Sequence, residues 1–372
     1  MNNPERLSSL QVILLLINGR VMSELIYQPA IVTPPANQDV WVAEILALLY
    51  LFIICGPLLF LTSRFETMTP LEYSEKILGK ILGKVLGLGL VAVLLLFSQL
   101  HIKLAIDFLE AVVLPETPPY ATALFMLIPC VYLIYKGVEG MGRLIEMVMP
   151  TFLAAIILFT LLNVKDMKFD VFLPVLADST FSQISYGAWS IASRFTEIII
   201  LGMLAPHIKE KKRTTRIFAY AAVISTGLLL IITVSVQARL GIILSTEEIF
   251  PYYAYVRQIS AYDVIERVES LNVFIWFIGL FLKFSLYLYL ALLGLAQIFS
   301  LKSPRVLIIP AAMVLYIVAL ETPLARSVVA DYLLSYRVLP YISFIAIFII
   351  PAVMLAGYYF RRLSGRCGAK GL

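Results

Sequence analysis

The chain has 372 residues, of which 61% are hydrophobic and 14% are charged, and its formal net charge is +5. Its mean hydropathy is +0.92. These values lie far from the averages of soluble domains. The composition therefore excludes a soluble globular protein and predicts a helical membrane protein with many spans.

The predicted spans follow from the length of the apolar stretches. A spanning helix needs roughly 20 mostly apolar residues, because lipid offers no partner for backbone amide groups. We predict an all-α membrane protein of about ten transmembrane helices, with a single transmembrane domain over residues 1–372, because no polar stretch is long enough to form a separate domain. In chain order the predicted spans cover residues 10–33, 41–61, 85–113, 121–135, 144–162, 184–206, 217–238, 271–299, 306–320 and 338–360.

The basic residues predict the orientation. Of the 29 Lys and Arg residues, 18 lie in segments on the side of the amino terminus, 7 lie on the opposite side and 4 lie within spans. Cytoplasmic loops carry the excess of Lys and Arg, so both termini are predicted to be cytoplasmic. The basic run 209–216 is interpreted as a loop facing anionic lipid and not as a nucleic-acid site. The first span is expected to be retained, since it continues at full length from residue 10.

Two outer loops, 164–183 and 241–267, are rich in aromatic residues. Aromatic rings favour the membrane interface, where they are half buried and half wet. We expect short helices in these loops, lying over the outer mouth of the bundle. The three cysteines and two histidines show none of the paired spacings of a metal site or a disulfide framework, so neither a metal site nor a cofactor is predicted.

Small and polar residues near the middle of spans one and six suggest an internal repeat. Gly and small polar residues lower helix propensity by up to about 1 kcal/mol each. In span one, Asn18 and Gly19 precede Arg20, and in span six Ser185, Gly187 and Ser190 precede Arg194. Transporters built from inverted repeats interrupt the leading helix of each half. We predict a five-plus-five inverted repeat, covering about 10–163 and 184–360, with breaks near Gly19 and Gly187. Close packing between helices is the alternative use of such residues.

Ionisable residues occupy the middle of spans one, three, six and eight. A charge at that depth costs roughly 2.5–3.5 kcal/mol, so it faces protein or a water-filled cavity. Spacings of three or four residues place two members of a group on one helical face, which predicts ion pairs that are either structural or part of a site. The groups are Arg20 with Glu24, His101 with Lys103 and Asp107, Arg194 with Glu197, and Lys283.

Lys283 differs from the other buried charges because no acidic residue lies within one turn on its own helix. If span one is unwound near Gly19, its free carbonyl groups are the natural partner of the Lys283 ammonium, which then takes the place of a coupling cation. That arrangement argues against sodium coupling. The groups carry formal charges of +4 and −3 in total, which leaves room for a ligand carboxylate and favours a zwitterionic amino acid over a polyamine.

Several segments resemble a known family. Residues 265–276 (IERVESLNVFIW) and 281–289 (FLKFSLYLY) resemble the eighth-helix signature of the B subunits of bacterial spore germinant receptors. Residues 195–206 (FTEIIILGMLAP) and the Phe250-Pro251 pair are also similar. Arg20 departs from the family pattern, in which a small, uncharged stretch surrounds the break of the first helix.

The resemblance implies a member of the amino acid-polyamine-organocation superfamily that senses a germinant, often an amino acid, in the spore inner membrane without catalysis. It further implies an A-type membrane subunit and a C-type lipoprotein subunit as partners. The ligand is expected at the bilayer midplane between spans one, three, six and eight, with Lys283 as the surrogate of the coupling cation. The candidate ligand-binding residues are Asn18, Gly19, Arg20, Glu24, His101, Gly187, Ser190, Arg194, Glu197 and Tyr287.

A proton-coupled amino-acid symporter of the same fold is the alternative function. It requires a carboxylate that loads and releases a proton, for which Glu24, Asp107 and Glu197 are the candidates. Sugars and nucleosides are alternative ligands, because the predicted lining holds hydroxyl groups as well as charges. An enzyme is not expected, since no nucleophile elbow accompanies His101 and Asp107.

Overall fold

Helices form nearly the whole of the computed structural model, which describes residues 6–210, 212–259, 268–321 and 337–363. Within these ranges there is no β-strand, and the one extended pairing is an isolated bridge between Leu7 and Ile208. Seven helices are long and apolar enough to cross a membrane, and the shorter apolar helices Ser9–Met22 and Pro304–Leu320 accompany them. The protein is therefore a multi-pass membrane protein.

The first half of the chain holds six helices in the described residues, which include the first five predicted spans. They are α1 (Ser9–Tyr27), α2 (Pro29–Val32), α3 (Val40–Arg64), α4 (Pro70–Leu78), α5 (Lys80–Phe108) and α6 (Pro119–Asn163). The short helix α4 was not predicted; it begins with a capping box formed by Thr69 and Glu72 and packs beside α5.

The second half follows the same order of long and interrupted helices. The helices are α7 (Phe181–Ser193), α8 (Glu197–Leu204), α9 (Thr214–Leu240), α10 (Ile242–Glu247), α11 (Pro251–Arg257), α12 (Val268–Ile298), α13 (Ile308–Glu321), α14 (Leu339–Phe344) and α15 (Ile350–Leu363). A π-helical turn, Ile345–Ile349, joins α14 to α15 in one span. The short helices α10 and α11 confirm the expectation for the loop after α9.

The helix α6 contains two predicted spans. Its 45 residues correspond to about 68 Å at 1.5 Å per residue, roughly twice the thickness of a bilayer core. Gly137 leaves the helical conformation with φ 75° and ψ −174°, a backbone geometry that favours glycine. When α6 is divided at Gly137, the described residues form ten apolar segments at the predicted positions.

Span one is interrupted, but not at the predicted residue. The helix α1 continues through Gly19 to Tyr27, and Gln28 then adopts the left-handed conformation with φ 38° before Pro29. Gly19 serves a close approach of two helices, because a Cβ atom there would lie 2.8 Å from Cγ of Glu197. The predicted break near Gly19 is therefore wrong, and the interruption lies nine residues further along the chain.

Span six is also interrupted, between α7 and α8. The chain leaves the helix at Arg194 and resumes it at Glu197. The predicted break near Gly187 is wrong, since Gly187 lies within α7 and packs so closely that a Cβ atom there would collide with the carbonyl oxygen of Pro34. At both positions the alternative of close packing explains the glycine.

The basic segments that were assigned to one side lie together at one end of the bundle, which we call the basic end. Four hydrogen bonds between chain segments hold this end together: Leu7 N–H to the His207 carbonyl (2.8 Å), Lys212 N–H to Glu66 (2.8 Å), Lys84 Nζ to the Ile298 carbonyl (2.6 Å) and Arg361 to the Lys76 carbonyl (2.8 Å).

The opposite end is closed by the loop before α7. The Asp39 carboxylate, at the start of α3, accepts hydrogen bonds from Leu176 N–H (2.9 Å) and Ser179 Oγ (2.6 Å). The backbone N–H of Lys168 bonds to the carbonyl of Ala238 at the end of α9 (2.8 Å). The loop thus joins the outer ends of two spans and fixes the position at which α7 enters the bundle.

Candidate functional site

A polar cluster lies inside the bundle where α1, α3, α7, α8 and α12 meet. Burial of polar and charged groups is costly unless they are paired, so a concentration of them in one place indicates a site. We define the cluster by its buried side chains, each no more than 8% exposed: Asn18, Arg20, Glu24, Glu44, Arg194, Thr196, Glu197, Lys283 and, on the side of α5, His101.

Lys283 joins α12 to the first and sixth spans. Its ammonium donates a hydrogen bond to the carbonyl oxygen of Gly19 and lies 3.4 Å from Oε1 of Glu197. The expected contact with Gly19 is therefore present, although α1 remains helical there. The carboxylate partner was not predicted, because Glu197 is distant in sequence and reaches Lys283 only through the packing of α8 against α1 and α12.

Tyr287 lies one turn after Lys283 and extends the same contact. Its hydroxyl donates to Oε1 of Glu197 (3.0 Å) and lies 2.8 Å from Oγ1 of Thr196. The ring stands 5.2 Å from the ring of His101, centroid to centroid. Lys283 and Tyr287 thus share one oxygen atom of Glu197, and His101 reaches the cluster through ring packing.

Arg194 does not pair with Glu197, so that prediction is wrong. The helix break separates the two residues, and the spacing of three no longer places them on one helical face. Instead, Nε of Arg194 lies 3.6 Å from Oε1 of Glu24. None of the three guanidinium nitrogens makes a hydrogen bond to a residue that the structure describes.

Arg20 forms the predicted pair with Glu24, at 3.8 Å between NH1 and Oε1. Its NH2 group donates to the carbonyl of Ile191 in the last turn of α7 (2.9 Å). The guanidinium also lies 5.7 Å from the ring centroid of Phe195 at the helix break. The carboxylate of Glu24 consequently lies within ion-pair distance of two arginines, and Arg20 attaches α1 to the end of α7.

Glu44 was missed by the sequence analysis. It lies in the second turn of α3, far from the midpoint of its span, and its side chain accepts a hydrogen bond from Oγ1 of Thr233 on α9 (2.6 Å). It interacts electrostatically with Arg20, Arg194 and Glu24. The signal in the sequence was a single acidic residue in an otherwise apolar span.

Glu44 changes the charge balance of the site. Three carboxylates in the described part of the cluster face three cationic side chains, so the excess of positive charge expected from sequence is absent. The remaining predicted pair, Lys103 with Asp107, is present on α5, and the two residues bind each other. The cluster is formally neutral: Glu24, Glu44 and Glu197 against Arg20, Arg194 and Lys283.

The other candidate residues make contacts of different kinds. The amide of Asn18 donates to the carbonyl of Gly279 (3.0 Å), which ties α1 to α12. The hydroxyls of Ser190 and Ser193 in the last turn of α7 are buried and make no hydrogen bond within the described ranges. The position of Ser193 beside Arg194 was not predicted. Whether these residues contact a ligand stays a prediction, as it does for His101 and Gly187.

The family of the chain follows from its sequence. A family model described as "Spore germination protein" matches residues 6–324. The chain belongs to this family. It is 25% identical over 322 residues to spore germination protein KB of Bacillus subtilis (strain 168), covering 82% of each chain. It is 24% identical over 300 residues to spore germination protein YndE of the same organism, covering 80% of this chain and 82% of that protein.

Solved transporter structures share the fold of this spore germination protein. The crystal structure of MhsT in complex with L-phenylalanine has a TM-score of 0.66 at 14% identity and covers 96% of this chain and 99% of that chain. Mhp1, a nucleobase-cation-symport-1 family transporter, has a TM-score of 0.64 at 11% identity and covers 97% of this chain and 94% of that chain. The fold is the predicted inverted-repeat transporter fold with interrupted helices one and six. The exact limits of the two repeats stay a prediction.

The described part of residues 265–276 begins at Val268, so the start of the segment that carries the resemblance lies outside the described residues. Residues 281–289 are described in full and contribute both Lys283 and Tyr287 to the polar cluster. The segment 195–206 contributes Thr196 and Glu197. Residues 281–289 and 195–206 therefore meet at one place in the structure.

Proposed function

We propose that the chain is the germinant-sensing membrane subunit of a spore germination receptor, and that it binds an amino acid in the polar cluster without catalysis. The observation that carries this proposal is the Arg194 guanidinium. It is buried beside the break of the sixth span, and it makes no hydrogen bond to any described residue. Membership of the spore germination family supports the same conclusion.

A buried guanidinium requires hydrogen-bond acceptors, and its planar donors match a carboxylate in bidentate geometry. At 3.6 Å, Glu24 lies close enough to balance the charge of Arg194 but not to accept a hydrogen bond from it. No backbone carbonyl of the described residues accepts a hydrogen bond from the Arg194 guanidinium either. A ligand carboxylate therefore fits Arg194, and its ammonium group fits Glu24 or Glu44.

With all three carboxylates ionised, the formal charge of the cluster is zero, which favours a ligand without net charge. A zwitterionic amino acid adds none, whereas a polyamine or a dicarboxylate adds charge that the described residues do not balance. Sugars and nucleosides are also uncharged, but they leave the Arg194 guanidinium without a carboxylate. Among amino acids, sugars and nucleosides, only an amino acid satisfies both the charge balance and the hydrogen-bond requirement of Arg194.

Lys283 supports a sensor over a sodium-driven pump. Its ammonium lies between the Gly19 carbonyl and the Glu197 carboxylate, which are the kinds of oxygen ligand that a coupling cation uses in transporters. Unlike sodium, a covalently attached cation does not dissociate on either side of the membrane. Lys283 is therefore proposed as the surrogate of that cation.

A proton-coupled symporter is the second candidate, and Glu44 favours it. Glu44 makes no ion pair within 4.0 Å among the described residues, while Glu24 and Glu197 each have a cationic neighbour within that distance. One of its oxygens accepts from Thr233 and the other makes no hydrogen bond in the described part of the chain. A carboxyl group in this setting suits proton binding better than the three carboxylates named from sequence.

Membership of the family supports a proposal for the location and the partners of the chain. We propose that the chain lies in the spore inner membrane with both termini in the cytoplasm, and that it signals to an A-type membrane subunit and a C-type lipoprotein. The accumulation of basic segments at one end of the bundle supports the orientation. Co-purification with tagged A-type and C-type subunits tests the assembly.

Two assays on the full chain in lipid test the function. Calorimetry of the protein in nanodiscs with a panel of amino acids, sugars and nucleosides should show saturable binding of an amino acid. Liposomes with an imposed pH gradient should not accumulate it. Accumulation that is driven by the gradient and lost in Glu44→Gln would replace the sensor with the symporter, and binding of sugars alone would overturn the amino-acid ligand.

A further inference from the structure

A cavity lies at the basic end, apart from the polar cluster. It has a volume of about 390 Å³ and opens between the break of α6, the second half of α12 and the turn that precedes α13. Its lining includes Tyr135 and Gly137 of α6, Tyr289 of α12, and Lys302 and Arg305. Gly137, where the backbone of α6 leaves the helical conformation, lies in the lining of the cavity. The space next to α12 and α13 therefore lies beside the break of α6.

Neither cation of this cavity has a hydrogen-bonding or ion-pair partner among the described side chains. Within the described ranges, the side chains of Lys302 and Arg305 make neither a hydrogen bond nor an ion pair, and no carboxylate lines the cavity. Other cations at the same end are bound to protein: Arg143 to Glu139 (2.9 Å), Lys84 to the Ile298 carbonyl (2.6 Å) and Arg361 to the Lys76 carbonyl (2.8 Å). The positive charge in the cavity is therefore available to an anion.

Arg305 is held in a defined position. Its guanidinium lies 4.8 Å from the centroid of the Tyr135 ring, a cation–π contact that orients the guanidinium plane. Stacking on a ring occupies the face of the guanidinium and leaves its N–H edges free for a phosphate or carboxylate. A fixed arginine beside an exposed lysine is a suitable pair of donors for a phosphate group.

Exposed apolar side chains flank the two cations in sequence. Val306 is 71% exposed, Ile309 is 53% exposed and Phe299 is 65% exposed. At the end of a membrane helix such side chains contact acyl chains, while the cations beside them lie at the level of the headgroups. The combination is typical of a lipid site, because a soluble anion requires no exposed apolar side chains beside its cations.

We propose that this cavity binds the phosphate headgroup of an anionic phospholipid from the leaflet at the basic end. Arg305 and Lys302 contact the phosphate, and Tyr135 and Tyr289 form the walls around the headgroup. The acyl chains lie over Val306 and Ile309. This proposal is independent of the ligand in the polar cluster.

Native mass spectrometry of the full chain, released from micelles with phosphatidylglycerol or phosphatidylcholine added, tests the site. The wild type should retain phosphatidylglycerol in preference to phosphatidylcholine, and the double variant Lys302→Gln/Arg305→Gln should retain it roughly tenfold less. The matched control is Arg64→Gln/Lys80→Gln, which removes the same charge from exposed positions elsewhere at the basic end, outside the 209–216 loop. It should retain phosphatidylglycerol like the wild type.

Three outcomes overturn the proposal. Equal retention by the Lys302→Gln/Arg305→Gln variant and the wild type shows that the lipid binds elsewhere. An equal loss in the control variant shows that net charge alone attracts the lipid. Displacement of phosphatidylglycerol by millimolar inorganic phosphate shows a site for the free anion. Size-exclusion profiles of all variants establish that each is folded.

Discussion

The ammonium of Lys283 binds the backbone carbonyl of Gly19 although α1 is helical at that residue. A carbonyl inside a helix already accepts a backbone hydrogen bond, so the lysine uses the second lone pair of that oxygen. The remaining positive charge is directed to Glu197 at 3.4 Å. Lys283 therefore connects the first, sixth and eighth spans without unwinding of the first.

Removal of the lysine charge should destabilise the bundle. In Lys283→Met, Glu197 is left as a buried carboxylate without its cation, which costs about 3–5 kcal/mol. We expect a lower melting temperature in detergent and loss of ligand binding. The double variant Lys283→Met/Glu197→Gln should recover most of the stability, because no uncompensated charge remains. Wild-type ligand affinity in the double variant would contradict the role of Lys283 as a cation surrogate.

Replacement of Arg194 should change ligand selectivity more than stability. Hydrogen bonds to charged groups are worth about 1.5–3 kcal/mol, so Arg194→Met should weaken amino-acid binding by roughly tenfold to a hundredfold. The sharper measurement compares an amino acid with its carboxamide by calorimetry. The wild type should prefer the acid and the variant should not. Arg143→Met, at an exposed position paired with Glu139, is the control and should behave like the wild type.

The two glycines Gly19 and Gly227 provide a matched comparison. A Cβ atom at Gly19 would lie 2.8 Å from Cγ of Glu197, whereas one at Gly227 would meet nothing within 4 Å. Gly19→Ala should therefore cost about 1–3 kcal/mol through overpacking and displace Glu197 from Lys283. Gly227→Ala in α9 should be neutral or stabilise the protein by about 0.5–1 kcal/mol. Equal melting temperatures for the two variants would contradict the close approach of α1 and α8.

The amino terminus should loosen at low pH. The Ser9 hydroxyl and backbone N–H both donate to Glu210 (2.8 Å each), and these hydrogen bonds lower the pKa of the Glu210 carboxyl below its ordinary value. A carboxyl group whose pKa is lowered in the folded protein stabilises that fold at pH values above its ordinary pKa, which is about 4.3 for glutamate. This stabilisation is lost as the pH falls through the lowered pKa. Relative to an unstructured cysteine peptide labelled at the same pH, which corrects for the loss of thiolate, thiol labelling of Leu7→Cys should accelerate over that range.

Glu210→Gln should remove this pH dependence. The amide accepts hydrogen bonds more weakly than the carboxylate and does not titrate. Labelling of Leu7→Cys relative to the cysteine peptide should therefore already be faster at neutral pH and should change little on acidification. Glu247→Gln, in the short helix α10 at the other end of the bundle, is the control. A pH profile of labelling that is identical with and without Glu210→Gln would assign the loosening to other groups.

The fold was predictable from sequence to a large extent because hydropathy reports membrane spans directly. The two helices of α6 were separated correctly, since the polar residues around Gly137 interrupt the apolar pattern. The breaks were misplaced because glycine has two uses in membrane helices, and only tertiary contacts distinguish them. Gly19 and Gly187 serve close packing, while the interruptions fall at Gln28 and Arg194, where sequence offers weaker signals.

The sequence predicted most of the residues that lie in the candidate site, but it did not predict all of the pairs that they form. Local spacing identified Arg20 with Glu24 and Lys103 with Asp107 correctly, because both pairs lie on uninterrupted helices. It failed for Arg194, whose helix ends at that residue. Long-range partners such as Glu197 for Lys283 and Thr233 for Glu44 depend on how helices pack, which the periodicity of one helix does not contain.

The oxygen that Lys283 and Tyr287 share has a mechanical consequence for signalling. Both contacts to Oε1 of Glu197 begin on α12 and end on α8, so a displacement of one helix strains the two bonds together. Gradual sliding is then unfavourable, and the geometry favours two discrete arrangements of the helices, joined or released. In the proposed sensor, a germinant that favours one of them by a few kcal/mol would convert a graded nutrient concentration into an all-or-none response.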